Sequence, residues 1–366
     1  MKSRNDIEAL LKLIMIPGMG SMRIRKLIAR FKTPQAVLNA SLKHLVTVNG
    51  IDEKLAKTIK KFKEENEVKK QIQRIEKHRV TIVTFWDETY PENLKHIYDP
   101  PPLLFVRGEI KPEDKNSLAI VGTRQPTDYG KLITEKFTAE LVRYGFTIVS
   151  GLAYGIDTLA HTVALNNGGR TLAILGSGVD IIYPSMNNKL AKRIETSGAV
   201  ISEFPMGTKP DKMNFPRRNR IICGLTLGTL VIEAGEKSGA LITAAMALEQ
   251  NREVFAIPGN IDSPKSIGTN QLINQGAKLV SSVEDILEEL EPHLERAKRN
   301  NQHRIAQLNL SEEEKTLLNI LSNKPKHIDV IAQQTGKSTS QVLAILLSLE
   351  LKDLVKQLSG KMFIRT

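Results

Sequence analysis

The stretch Ser117–Asp157 constrains the chain most. An apolar strand, Leu118–Val121, closes in Gly122-Thr123-Arg124. The spacing of Phe137, Leu141 and Val142 predicts a helix from about Tyr129 to Tyr144 with one buried face. Gly145 stops it, and a second strand, Phe146–Val149, runs into Ser150-Gly151. This order is a βαβ unit, and loops after the strands of such units are where doubly wound sheets bind ligands. Two readings stand here. Gly122 can let a phosphate approach the backbone while Arg124 offers a planar fork of donors; or the glycines serve only tight turns. The GxGxxG pattern of a dinucleotide site is absent from the first loop.

The alternation continues. Strands are predicted at Thr171–Leu175, Ala199–Ser202, Thr229–Glu233, Glu253–Ile257 and Lys278–Val280, with helices at Asn187–Thr196 and Ala240–Gln250. Strands alternating with helices imply a parallel, doubly wound α/β sheet. Gly122, Gly151, Gly176, Gly178, Gly235 and Gly259 follow strands. Strand C-termini share one edge in this architecture, so these loops can line a single crevice. Val80–Phe85 and Leu103–Val106 extend the sheet, around an extended Pro100-Pro101-Pro102. Lys111–Asn116 reads as a polar turn, and Trp86 as a packing residue.

Charge is unevenly spread. The formal net charge is +12, yet residues 1–80 carry 19 Lys+Arg against 8 Asp+Glu, leaving 33 against 32 for the rest. A basic N-terminus suits an anionic partner such as nucleic acid, or a solvated face. Within it, Ile16-Pro17-Gly18-Met19-Gly20 separates two helical patterns, as in a helix-hairpin-helix, and Arg23, Arg25 and Lys26 follow. Weak DNA contact is expected there. A second copy, Val48-Asn49-Gly50-Ile51-Asp52, has an acid where the second glycine would stand, so packing is expected instead. One cysteine, Cys223, excludes an internal disulfide and a cysteine-rich zinc site. No signal-peptide core or bilayer-length apolar run is present, so a soluble cytoplasmic protein without membrane partners is expected.

The sharpest local feature is Lys209–Arg220, KPDKMNFPRRNR, within a region (117–290) that balances 17 basic against 17 acidic residues. Pro216 can open a helix with Arg217 and Arg220 on one face. A base can stack on Phe215 while Lys212 holds its phosphate; the alternative is a surface helix anchored by Phe215. Further on, Glu291–Leu308 reads as a linker. Ser311 caps a helix striped by Leu317, Leu318 and Leu321. Helices at Ile328–Thr335 and Ser338–Leu349 and strands at Leu354–Leu358 and Met362–Ile364 complete a winged helix-turn-helix. Its third helix offers Ser338, Thr339, Ser340 and Gln341 but no Arg or Lys to read a base, which favours protein interaction or weak duplex binding.

Enzyme chemistry has few candidates. Asp157 and His161 lie four apart without a third metal ligand; an N-cap and a satisfied helix residue are expected, and no metal. Glu233 can serve as a general base on a bound nucleotide, cap the next element, or position Arg218 or Arg220. No nucleophilic triad is suggested by spacing, and the Walker pattern is absent.

Taken as motifs, IVGTR at 120–124, SGLAYGIDTLAH at 150–161, AILGSGVDIIYP at 173–184, SEFPMGTKP at 202–210, FPRRNRIICGL at 215–225, EAGEKSGALITA at 233–244 and IPGNIDSPKSIGTNQLI at 257–273 resemble the DprA/Smf family of DNA-processing proteins. The resemblance covers the whole central region, and the flanking regions fit the family's layout. It implies an extended Rossmann-like domain (80–290) behind a helix-hairpin-helix domain (1–79), then a linker (291–309) and a winged helix (310–366). It implies a non-enzymatic homodimer that binds single-stranded DNA and loads RecA in natural transformation, with single-strand-binding protein as a further candidate partner and no cofactor. The DNA-binding residues it implies are Gly122, Thr123, Arg124, Gly151, Gly176, Ser177, Gly178, Lys212, Phe215, Arg217, Arg218, Asn219 and Arg220. Related nucleotide-processing enzymes carry a Pro-Gly-Gly-x-Gly-Thr-x-x-Glu motif. Here the Pro-Gly-Gly is missing and Glu233 is displaced by one residue. The alternative function is such a nucleotide or nucleotide-sugar hydrolase using Glu233.

Overall fold

The computed structural model describes residues 4–63, 65–291, 311–322, 325–352, 354–358 and 360–365. It divides into two compact units, Met1–His293 and Leu294–Thr366. Of the expected linker, 291–309, residue 291 belongs to a helix and 292–309 lie outside the described residues.

The first unit begins with helices α1 (Arg4–Met15), α2 (Ser21–Phe31), α3 (Pro34–Asn39), α4 (Leu42–Leu45), α5 (Glu53–Lys61) and α6 (Glu65–Lys77). Side-chain caps start several of them: Thr33 accepts from the Ala36 amide, Ser41 from His44 and Asp52 from Leu55. Asp52, the acid that breaks the second hairpin pattern, is therefore the N-cap of α5. Arg23 joins the two hairpins, donating to the Gly18 carbonyl at 2.6 Å and the Gly50 carbonyl at 2.9 Å. Leu10, Leu11, Ile24 and Leu27 are buried in a core that continues to Leu103, Phe105 and Leu175 of the sheet. Each such side chain withdrawn from water stabilises the unit by about 1.5–3 kcal/mol. A polar clasp adds direction: Gln71 donates to the Met206 carbonyl and accepts from its amide, both at 2.9 Å.

The sheet has nine strands: β1 (Thr81–Thr84), β2 (Leu103–Gly108), β3 (Ser117–Val121), β4 (Thr147–Ser150), β5 (Thr171–Ile174), β6 (Ala199–Ser202), β7 (Gly228–Val231), β8 (Glu253–Ala256) and β9 (Lys278–Leu279), in the order β1-β2-β6-β5-β4-β3-β7-β8-β9. Strands β3–β9 pair in parallel, while β2 runs antiparallel to both β1 and β6. The sheet is thus mixed, with an antiparallel edge. Helices α7 (Glu92–Lys95), α8 (Asp128–Arg143), α9 (Ile156–Asn166), α10 (Asn188–Ser197), α11 (Asn214–Leu225), α12 (Gly239–Glu249), α13 (Ile267–Asn274) and α14 (283–291) connect and cover it. Every residue of β3, β4, β5, β6 and β7 is buried, as strands covered on both faces require. Residues 112–115, expected as a polar turn, form a short 3-10 helix whose Asp114 is buried and bonded bidentately by Arg170 at 2.9 Å. Trp86 packs edge-on against Phe85 at 5.6 Å. The chain winds outward from β3 in both directions, through β4–β6 and through β7–β9, so the switch point lies between β3 and β7.

The second unit has α15 (Glu312–Ile320), α16 (Ile328–Thr335), α17 (Thr339–Leu351) and a three-stranded sheet, β10 (Lys326–His327), β11 (Val355–Leu358) and β12 (Met362–Arg365), in the order β10-β12-β11. It is a winged helix. Ser311 forms a capping box with Glu314, and Ser338 another with Gln341. Ser338 and Gln341 are thereby used to start α17. That helix leaves Leu343, Leu347 and Leu351 exposed, 81% in the case of Leu351.

Candidate nucleic-acid interface

Loops at the C-terminal edge of the sheet line an open cavity of about 710 Å³. Its floor is the junction of the loops after β3, β4 and β7. The Thr123 amide donates to the Glu233 carbonyl at 2.8 Å, and the Ile156 amide to the Thr123 carbonyl at 3.2 Å. These bonds lock the Gly122-Thr123-Arg124 turn, and Arg124 stands exposed at its tip. Gly122, Thr123, Arg124, Lys212, Phe215, Arg218 and Asn219 all line the cavity. So do Tyr183, Lys237 and Lys265, which the sequence reading did not single out. Among the described residues, Arg124, Lys212, Lys237 and Lys265 have no ion-pair partner, although the carboxylate of Glu236 shares the rim. One wall is aromatic: the Tyr183 and Phe215 rings lie 6.0 Å apart, inclined at 37°.

The neighbouring arginines of α11 divide sharply. Arg218 is buried and donates to the carbonyls of Gly151, at 2.6 Å, and Ile174. It ties α11 to the ends of β4 and β5. A side chain at Gly151 would collide with its guanidinium, so that glycine clears the arginine's path. Burial pulls the Arg218 guanidinium down to about 10, which leaves it charged at neutral pH. Its counter-charge is Asp157, which also accepts from the amides of Gly151 at 3.0 Å and Ala153 at 3.3 Å. Asp157 is therefore a buried brace and not the cap of α9, whose N-cap is Gly155. His161 bonds Thr171 Oγ1 at 2.6 Å, with its other ring nitrogen unpartnered; burial and Arg218 push its pKa down to about 3, so it stays neutral.

Arg217 and Arg220 share a face, but it turns away from the cavity, and neither lines it. Arg217 is exposed and lies over the Phe204 ring at 5.0 Å. Arg220 pairs with Glu203 and donates to the Asp99 carbonyl. Arg25 of α2 reaches the same loop, donating to the Tyr98 carbonyl at 3.3 Å while stacking on Phe85. Arg23 and Arg25, expected near DNA, are thus both engaged within the protein. Gly176, Ser177 and Gly178 lie behind the aromatic wall. A Cβ on Gly176 would approach the Phe215 ring at 2.8 Å, and Ser177 Oγ donates to the Ile181 carbonyl at 2.7 Å.

Glu233 also turns from the cavity. It is buried, and its carboxylate accepts from the Thr127 amide at 2.9 Å and the Thr127 hydroxyl at 2.5 Å, bracing the start of α8. It positions neither Arg218 nor Arg220. Among the described residues no helix is long and apolar enough to cross a membrane.

Comparison with known proteins agrees with this fold. Residues 81–291 match the family described as DNA recombination-mediator protein A, residues 304–361 a DprA winged helix domain, and residues 10–62 a SAM-like helix-hairpin-helix tandem. The chain is 47% identical over 212 residues to the DNA processing protein DprA of Bacillus subtilis, covering 58% of this chain and 71% of that protein. It is 42% identical over 277 residues to Protein Smf of Escherichia coli, covering 75% and 74%. Among solved structures it resembles DNA processing protein A of Streptococcus pneumoniae, with a TM-score of 0.68 and 36% identity, covering 79% of this chain and 99% of that one. It also resembles the Helicobacter pylori protein, whose structure is described as giving insight into a unique single-stranded DNA binding mode; the TM-score is 0.52, the identity 31%, and the coverage 58% and 97%. The chain belongs to the DNA recombination-mediator protein A (DprA/Smf) family.

Proposed function

We infer that this chain binds single-stranded DNA in the cavity at the strand C-termini and acts as a recombination mediator. One observation carries the reading: Arg124, Lys212, Lys237 and Lys265 line the same cavity as an aromatic wall and have no carboxylate paired to them among the described residues. Unpaired cations attract a polyanion and release its counterions, while rings accept any base by its π-face. Such a site holds single strands with little sequence preference. Arg124 and Lys212 hold phosphates, Phe215 and Tyr183 face bases, and Asn219 hydrogen-bonds at the edge. Gly122 and Thr123 shape the turn under Arg124. Gly151, Arg218 and the Gly176-Ser177-Gly178 loop act as support for α11 and Phe215, and Arg217 and Arg220 serve the surface beside it. The single-strand binding described for the Helicobacter pylori relative supports this reading.

Loading of RecA, homodimer formation and cooperation with single-strand-binding protein belong to the same proposal, as does a purely non-enzymatic role in the cytoplasm. Fluorescence anisotropy with oligo-dT tests the binding. A RecA filament assay on DNA coated with single-strand-binding protein tests the mediator role: the chain should shorten the lag, and an unchanged lag would remove RecA loading from the account.

A further inference from the structure

Arg124 borders two hollows. Beyond the main cavity, a second hollow of about 570 Å³ is lined by Thr123, Arg124, Gln125, Tyr154 and Gly155. Thr123 and Arg124 are common to both. Tyr154 is 43% exposed, and among the described residues its side chain has no hydrogen-bond or ion-pair partner. The backbone that carries it is nevertheless fixed. Gly155 has φ +76°, and a Cβ there would collide with the backbone of Thr123 and Arg124. The loop carrying Tyr154 is therefore pressed onto the loop carrying Arg124, and the Ile156–Thr123 hydrogen bond at 3.2 Å holds it there. An exposed ring and an exposed guanidinium thus stand on two loops pressed together, and Tyr154 lines the second hollow whereas Tyr183 and Phe215 line the first. The Tyr183–Phe215 spacing of 6.0 Å is less than the roughly 7 Å that two ring-to-base contacts of about 3.5 Å would need. The first wall therefore offers its outer surface to bases and takes none between its rings.

We propose that Tyr154 and Arg124 form a second nucleotide subsite, into which a single strand held in the main cavity continues past Arg124. The ligand class is the next nucleotide of the strand, its base stacked on Tyr154 and its phosphate on Arg124. This rests on the single-strand reading of the main cavity. It adds that the strand's path crosses the β3 loop toward the β4 loop.

The test uses the full chain and two lengths of labelled oligo-dT, on the order of 4 and 12 nucleotides, spanning the range that small single-strand sites cover. Tyr154→Leu should weaken the longer oligomer on the order of tenfold, the scale of one base–aromatic stack, and leave the shorter one unchanged. Tyr154→Phe should match the parent. Tyr154→Trp should hold the longer oligomer and show indole quenching on binding, above a background from Trp86 alone. Equal binding of the longer oligomer by parent and Tyr154→Leu, where Arg124→Ala has weakened it, would overturn the subsite while leaving the main cavity intact. Equal losses at both lengths would also overturn it, assigning Tyr154 to the main cavity. Failure of the parent itself to bind oligo-dT would instead remove the single-strand reading, before any variant is compared.

Discussion

Arg218 donates a hydrogen bond to the carbonyl oxygen of Gly151 at 2.6 Å from within the protein, so the most buried arginine of the basic segment is a strut and not a finger. Asp157 supplies a nearby counter-charge, and the bonds to the Gly151 and Ile174 carbonyls hold α11 on the strand ends. Removing the guanidinium leaves two buried strand-end carbonyls without their donor and Asp157 without its nearby counter-charge. Arg218→Met should therefore destabilise the first unit by about 1–3 kcal/mol for each carbonyl left unsatisfied, read as a lower urea midpoint. Gly151→Ala should act in the same direction, because the added methyl collides with the guanidinium. Unchanged midpoints for both would show that the strut carries no load.

Glu233→Gln separates bracing from catalysis. The carboxylate accepts from both the amide and the hydroxyl of Thr127, and an amide side chain can keep only part of that. The expected result is a stability loss of about 1–3 kcal/mol with single-strand affinity near that of the parent. Incubation with nucleoside monophosphates, followed by chromatography, should give no base release by either protein. Release by the parent that disappears in Glu233→Gln would favour the hydrolase.

Acid should loosen the winged helix through Glu314. Lys352 and Ser348 bond its carboxylate, with the Ser311 amide, and hold its pKa down to about 2 from 4.5. A carboxyl whose folded pKa is depressed contributes stability above its unfolded pKa and loses it as pH falls toward the folded value. Parent and Glu314→Gln should therefore differ in urea midpoint at neutral pH and converge between about pH 4.5 and 2, in the transition of the second unit. A difference that persists at the acid end would place the effect in packing.

The fold was legible where long apolar runs and helical stripes occur. Strands such as Ala199–Ser202, buried on both faces, read as unbroken apolar segments, and Ile328–Thr335 keeps its expected limits. The direction of β2 was not legible, because antiparallel pairing with β6 depends on how the chain arrives there. The site was legible as a shared edge of loops but not residue by residue. Arg217, Arg218 and Arg220 look alike in sequence; a stacking ring, two strand-end carbonyls and Glu203 give them different tasks. Lys237 and Lys265 went unmarked because each is isolated in sequence. Their signal was position: they follow the strand-end glycines Gly235 and Gly259, on the edge that already held Gly122.

On the proposed function, unpaired cations in one cavity hold the phosphates of a single strand. Oligo-dT affinity across a salt series tests it most directly, because the logarithm of the binding constant falls with the logarithm of salt by about 0.7 per phosphate neutralised. The parent should show a steep negative slope, and Arg124→Ala and Lys212→Ala should each bind more weakly with a slope shallower by about 0.7. Variants that keep the parent's affinity and slope would contradict the assignment of this cavity.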